Sequence, residues 1–132
     1  MIVLYSKHRK RLNSKKTEEQ SRISPLDVVL IELKASQPKI RENTGEDLRH
    51  LAHHISGLIR SYYSLKFTRD FDDLTSREFL RELSWHGISP EKLRLLGNLV
   101  QRLDLIRFAE ESTGASDQRA LSIQFEPWME SL

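Results

Sequence analysis

The sequence contains no cysteine, which excludes a disulfide framework, a thiolate nucleophile and every zinc site built on sulfur. Its five glycines fall in neither a G-x-G-x-x-G nor a G-x-x-x-x-G-K-[ST] arrangement, so the common nucleotide-cradling loops are absent. No apolar run approaches the roughly 18 to 20 residues that cross a bilayer as a helix. Alternating apolar and polar residues, the mark of a half-buried strand, are almost missing as well. What is left is a chain of 132 residues, 38% hydrophobic and 30% charged, within the usual range for one soluble domain with one core.

The net charge of +2 conceals an asymmetry. Through Arg22 there are seven basic residues against Glu18 and Glu19, a balance of +5, and the other 110 residues carry 14 bases against 17 acids, a balance of −3. A basic arm is joined to a mildly acidic body. The arm opens Met1-Ile2-Val3-Leu4-Tyr5 and turns at once to Ser6-Lys7-His8-Arg9-Lys10-Arg11. A secretory signal carries its cations before a longer apolar stretch, so the order is wrong for export. It suits the cytoplasmic end of a transmembrane helix, where an aromatic sits at the interface and cations collect inside. A disordered basic terminus has the same composition. Residues 6 to 23 lack helical periodicity and read as a linker, which sets the boundaries at 1–23 for the juxtamembrane arm and 24–132 for the domain.

Within the body, helix signals recur. Ser24-Pro25-Leu26-Asp27 is a start, with a capping serine, a proline at the first position and an acid at the positive helix end. The first helix is expected to reach about Ser36, with a polar connection after Gln37-Pro38. Leu26, Val29, Leu30 and Leu33 form its stripe, while Val28 and Ile31 fall on a second face. That face is either buried within the domain or left for a partner. Thr44 and Asp47 open the longest periodic segment, with Leu48, Leu51, Ala52, Ile55, Leu58, Ile59 and Tyr62 on one stripe ending near Leu65. Its other face carries Glu46, His50, His53, His54, Gly57 and Arg60. His50 and His54 have the four-residue spacing of a metal-gripping pair, but no matching ligand set appears elsewhere, and a solvated face is the plainer reading.

Thr75-Ser76-Arg77-Glu78 is a complete capping box for a short third helix. Phe79, Leu80 and Leu83 face inward, Trp85 closes the edge, and Gly87 supplies a left-handed stop. Ser89-Pro90 starts a fourth helix with Leu93, Leu96, Leu99, Val100 and Leu103 inside, ended by Asp104. Leu105 to Ala109 is apolar enough to be tied down as an extended segment or a final turn. A last helix runs from Ser116 to about Phe125, broken by Pro127, with Leu121, Phe125, Trp128 and Leu132 packing as a lid. The expected fold is an all-α bundle of about five helices. The third and fourth helices also have the tight turn of a helix-turn-helix, with Arg94, Asn98, Gln101 and Arg102 as base-contacting candidates. The body's acidic balance supplies few phosphate contacts, which argues against nucleic acid. Neither a Ser/His/Asp set nor a facing carboxylate pair is present, so no catalysis and no cofactor are expected.

Three segments in order, Ile59-Arg60-Ser61-Tyr62-Tyr63-Ser64-Leu65-Lys66-Phe67, Leu74-Thr75-Ser76-Arg77-Glu78-Phe79-Leu80 and Asp104-Leu105-Ile106-Arg107-Phe108-Ala109, resemble the cytoplasmic C-terminal domain of BatD-type, aerotolerance-related bacterial membrane proteins. That family places an Arg-x-Tyr helix end, a Thr-x-x-Glu helix start and an Asp-x-x-(Lys/Arg)-Phe-Ala segment at similar intervals. The resemblance covers Leu58 to Phe125. It implies a domain on the cytoplasmic face of the bacterial inner membrane, associated with a MoxR-type AAA+ ATPase and von Willebrand factor A-domain proteins. Physically, Thr75 and Glu78 answer to capping, Phe79, Leu80 and Phe108 to burial, and Arg60 or Arg107 to an ion pair with Asp104. The partner-binding candidates are Val28 and Ile31 on the first helix and the acidic stretch Asp70, Asp72 and Asp73.

Overall fold

The computed structural model describes residues 23–111 and 114–132; the arm of residues 1–22, with its apolar-then-cationic opening, lies outside the described residues. The body begins where Ser24 and Asp27 satisfy each other's backbone. The Ser24 hydroxyl accepts the Asp27 N–H at 3.1 Å, and the Asp27 carboxylate accepts the Ser24 N–H at 3.4 Å. The helix so started, α1, runs Pro25–Glu42 and does not end near Ser36. Passing a proline costs about 3 kcal/mol through the lost N–H and the ring's clash with the preceding turn. Burying Ile40 returns about 2 kcal/mol, and two side-chain bonds hold the last turn, from Asn43 Nδ2 to the Lys39 carbonyl and from Gln118 Nε2 to the Arg41 carbonyl, both 2.6 Å. Tertiary contact therefore carries the chain through Pro38.

The next helix, α2, spans Gly45–Phe67, and its whole expected stripe is buried, joined by Tyr63. The capping box expected of Thr44 and Asp47 does not form: Thr44 holds the cap position without a side-chain bond. Gly45 follows at φ +61°, and this left-handed start, open to glycine, departs from the geometry that aims a cap hydroxyl at the third helical N–H. At the other end Thr68, at φ 51°, turns the chain out of the helix. The segment that carries the acidic stretch then drops Phe71 into the core, 0% exposed.

The short α3, Ser76–Trp85, starts on its expected box, with the Thr75 hydroxyl accepting the Glu78 N–H at 3.1 Å and Glu78 accepting the Thr75 N–H at 2.9 Å. It ends at Gly87, φ +81°. Trp85 does not close an edge; it is 72% exposed, because α3 has neighbours only on the side of Phe79 and Leu83. The Thr75 bonds hold the Glu78 carboxyl below the usual glutamate range. A depressed carboxyl contributes stability that is complete above the range where a free glutamate titrates and is lost as pH falls through the lowered pKa. Thr75→Ala should cost about 1 kcal/mol through the lost capping hydroxyl, whereas Glu78→Gln should flatten the acid limb of a stability-against-pH curve measured by denaturant titration.

From Ser89, whose hydroxyl accepts the Lys92 N–H at 3.2 Å, α4 runs Pro90–Arg107, one turn past Leu103. Asp104 does not end it, because Ile106, two residues further on, is buried. The last helix, α5, spans Ala115–Ser131 and passes through Pro127, where a break was expected. Trp128 explains this: it is fully buried and donates its indole N–H to the Tyr63 hydroxyl at 3.1 Å. Thus α5 is a wall of the core and not a lid, and only its final Leu132 leaves the stripe for the surface.

Helix α1 packs on α2, α2 on α4, α4 on α5 and α5 back on α1, so four helices form a ring around one core, with α3 set against α4. The described residues form an all-α bundle of five helices with no strand. No described helix is long and apolar enough to cross a membrane.

Candidate interaction surfaces

Residues from all three family-like segments meet where α2, α3 and α4 join. Asp104 accepts the Ser76 hydroxyl at 2.7 Å and Arg107 Nη1 at 3.3 Å. Arg60 does not point away from the core as expected from its place on the histidine face. It donates to the Phe71 carbonyl at 2.6 Å and lies over the Phe79 ring, 4.8 Å from its centre. Burial lowers the Arg60 pKa, neighbouring Arg107 lowers it further, and Asp104 and Asp72 oppose the shift. Of the two arginines, Arg107 is the one that pairs with Asp104, since the Phe71 carbonyl has captured Arg60.

This cluster is a joint. Two guanidinium groups are set against two carboxylates, so the charge is balanced, and the adjoining cavity of about 10 Å³ is at the lower limit for one water. Arg107 Nε is buried without a hydrogen-bond partner, a cost the Arg107–Asp104 contact offsets. What the joint does is fix the end of α4, and with it an open groove of about 520 Å³ between α3 and α4. Asp104 and Ser76 form its polar floor, and Leu80, Val100, Leu105 and Phe108 its apolar wall. Gly97 sits there too, where an added Cβ would stand 4.0 Å from Leu80, in ordinary contact but at the expense of groove depth.

Phe108 was expected to be buried and is 71% exposed; Leu105 is 55% exposed. Both lie on the helical wheel with Gly97 and Gln101, about opposite Leu99, Leu103 and Ile106. With α2 and α5 covering the latter side, both are left more than half exposed, and the Arg107 guanidinium lies 4.9 Å from the centre of the Phe108 ring. In the sequence Leu105 to Ala109 reads as a segment tied down in extended form or as a final turn, and the off-stripe wheel position of Leu105 and Phe108 is the signal there that points to a groove.

On α1, Val28 and Ile31 are 45% and 60% exposed. The second apolar face is thus left open by the described residues and not buried in the domain. Asp70, Asp72 and Asp73 are all exposed. The Asp70 carboxylate accepts the Asp72 N–H at 2.9 Å, so part of the acidic stretch is occupied in shaping the turn that seats Phe71. The four base-contacting candidates do not share one free face. Arg94 pairs with Glu91 at 2.7 Å, Asn98 is exposed and Gln101 lines the groove, while Arg102 turns to α5, 3.4 Å from Gln124 and 3.9 Å from Asp117. Because α4 packs on three other helices, the surface it can offer a groove of DNA is narrow. His50, His53 and His54 are exposed, His50 lies 3.9 Å from Glu46, and no group of three metal-binding side chains occurs among the described residues.

Set beside protein-family models, curated proteins and solved structures, the chain finds no match in any of the three comparisons.

Proposed function

We propose that this chain is a non-catalytic protein–protein interaction domain on the cytoplasmic side of a bacterial inner membrane. In this reading its N-terminal segment is the anchor, and it contributes to an assembly with a MoxR-type AAA+ ATPase or a von Willebrand factor A-domain protein. One observation carries the interaction role: the open groove of about 520 Å³ between α3 and α4 is lined largely by apolar side chains, two of which, Leu105 and Phe108, stand more than half exposed. Large exposed apolar groups beside a concave surface are characteristic of contact sites. The bond of Arg60 to the Phe71 carbonyl and the pairing of Arg107 with Asp104 support a structural role for the charges nearby. Membrane attachment and the identity of the partners rest on the basic arm and on the resemblance in three segments.

The test is affinity purification of the natural protein from native membranes. An AAA+ ATPase or an A-domain protein should be retained with it, and Phe108→Asp should reduce that retention by about tenfold or more while leaving helical content unchanged, since truncating a central apolar contact costs about 2 kcal/mol. Retention of neither protein, or recovery of the chain in the soluble fraction alone, would refute the assignment.

A further inference from the structure

The outer face of α1 carries more than two exposed apolar residues. Val28, Ile31, Ala35 and Pro38 are all exposed and follow one another at intervals of three, four and three residues, the spacing of a two-helix seam. They lie opposite Leu33, Ser36 and Ile40, which face the core. The seam is therefore a second stripe on a helix whose first stripe is already used.

Its flanks decide what can cover it. On one side stand Asp27, Lys34 and Arg41, on the other Glu32 and Lys39, every one exposed. Charges beside such a seam select partner and direction. If a second copy of α1 lies parallel, Asp27 faces Glu32 and Lys34 faces Lys39, so each facing pair repels. If it lies antiparallel, Asp27 faces Arg41 of the second copy and Glu32 faces its Lys39. Two-fold symmetry repeats both attractive pairs, against one like-charge contact where Lys34 meets its own copy at the axis. Arg41 is free to take part, as its contact with Glu126 is 4.0 Å long between exposed groups.

We propose that the protein forms a two-fold symmetric dimer through antiparallel pairing of the outer faces of α1. The occupant of this face is a second copy of the chain, because the charge order complements its own reverse. The seam extends only about 15 Å along the helix, so the dimer is weak, dissociating in the micromolar range or above. It goes beyond the partner-binding groove and uses a different face of the bundle.

Sedimentation of the full chain across a micromolar-to-millimolar range is the test. Wild type should show a monomer–dimer equilibrium that weakens with salt. Ile31→Glu should weaken it about tenfold or more with an unchanged far-ultraviolet circular dichroism spectrum, as Ile31 is 60% exposed. Direction is read from Glu32→Lys, which weakens an antiparallel dimer and tightens a parallel one; adding Lys39→Glu should restore the antiparallel pair. Because the chain has no cysteine, Lys34→Cys should cross-link copy to copy, and Val28→Cys, about 15 Å from its mate, should not. A monomer at every concentration, a dimer indifferent to Ile31→Glu, or tightening by Glu32→Lys overturns the proposal. Phe108→Asp should leave the dimer intact, so loss of the groove partner and loss of the dimer are separable results.

Discussion

Trp128→Ala should destabilise the bundle by about 3 to 5 kcal/mol, the range for removing a fully buried large aromatic. Trp128 is 0% exposed, lies edge-on to Tyr62 with ring centres 6.4 Å apart, and packs on Phe125 at 6.0 Å. Its indole N–H is satisfied by the Tyr63 hydroxyl, a bond between residues far apart in sequence that ties α5 to α2. Tyr63→Phe would keep the ring and strand the indole N–H, costing about 1 to 3 kcal/mol. Denaturant unfolding at neutral pH measures both. A loss below about 1 kcal/mol for Trp128→Ala would mean that α5 frays from a core complete without it. The same pair has an alkaline signature. Burial pushes the Tyr63 hydroxyl up to about 12, with the bond from Trp128 opposing the shift. A raised pKa gives a contribution that is whole below the pH where a free tyrosine ionises, about 10, and is lost as pH rises through the folded value.

The second large effect belongs to a loop. Phe71→Ala should cost about 3 to 5 kcal/mol, although residue 71 sits in no helix and between acidic neighbours. Its ring is fully buried, 5.5 Å from that of Phe79. Its backbone is held from both sides, the N–H by the Ser64 hydroxyl at 3.1 Å and the carbonyl by Arg60 at 2.6 Å. Removing the ring should loosen α3, which should appear as faster amide exchange from Phe79 to Leu83. Asp73→Ala, two residues away and exposed, should stay within about 0.5 kcal/mol of wild type. Equal effects at both positions would show that the loop is seated by its backbone bonds and not by the ring.

Legibility in the sequence follows the range of the interaction concerned. Helix starts at Ser24, Thr75 and Ser89 could be read directly, because a capping oxygen meets an N–H three residues away and both partners lie in the same short string. The stripe of α2 could be read for a related reason: burial along one helix repeats at 3.6 residues whatever covers it. These local terms were enough to specify five helices and most of the core. Helix ends were harder. Pro38 and Pro127 are strong stop signals locally, and each is overridden by a side chain two or one positions on, Ile40 and Trp128, whose burial depends on helices distant in the chain.

Faces were the least legible feature. Val28 stands in an apolar run and Phe71 among acidic residues, yet the first is open and the second sealed, the reverse of what the neighbours along the chain suggest. The residues of the joint at Arg60, Asp104 and Arg107 could be named from their motifs, but the choice of Arg107 as the partner of Asp104, and of the Phe71 carbonyl for Arg60, came only with three helices in place. Sequence set the helices, the inward stripes and the acid–base asymmetry, since those depend on neighbours along the chain. Which outer faces stay uncovered, and so where another molecule can bind, was settled by how the helices close around one another, because exposure is a property of the whole packing and not of any segment.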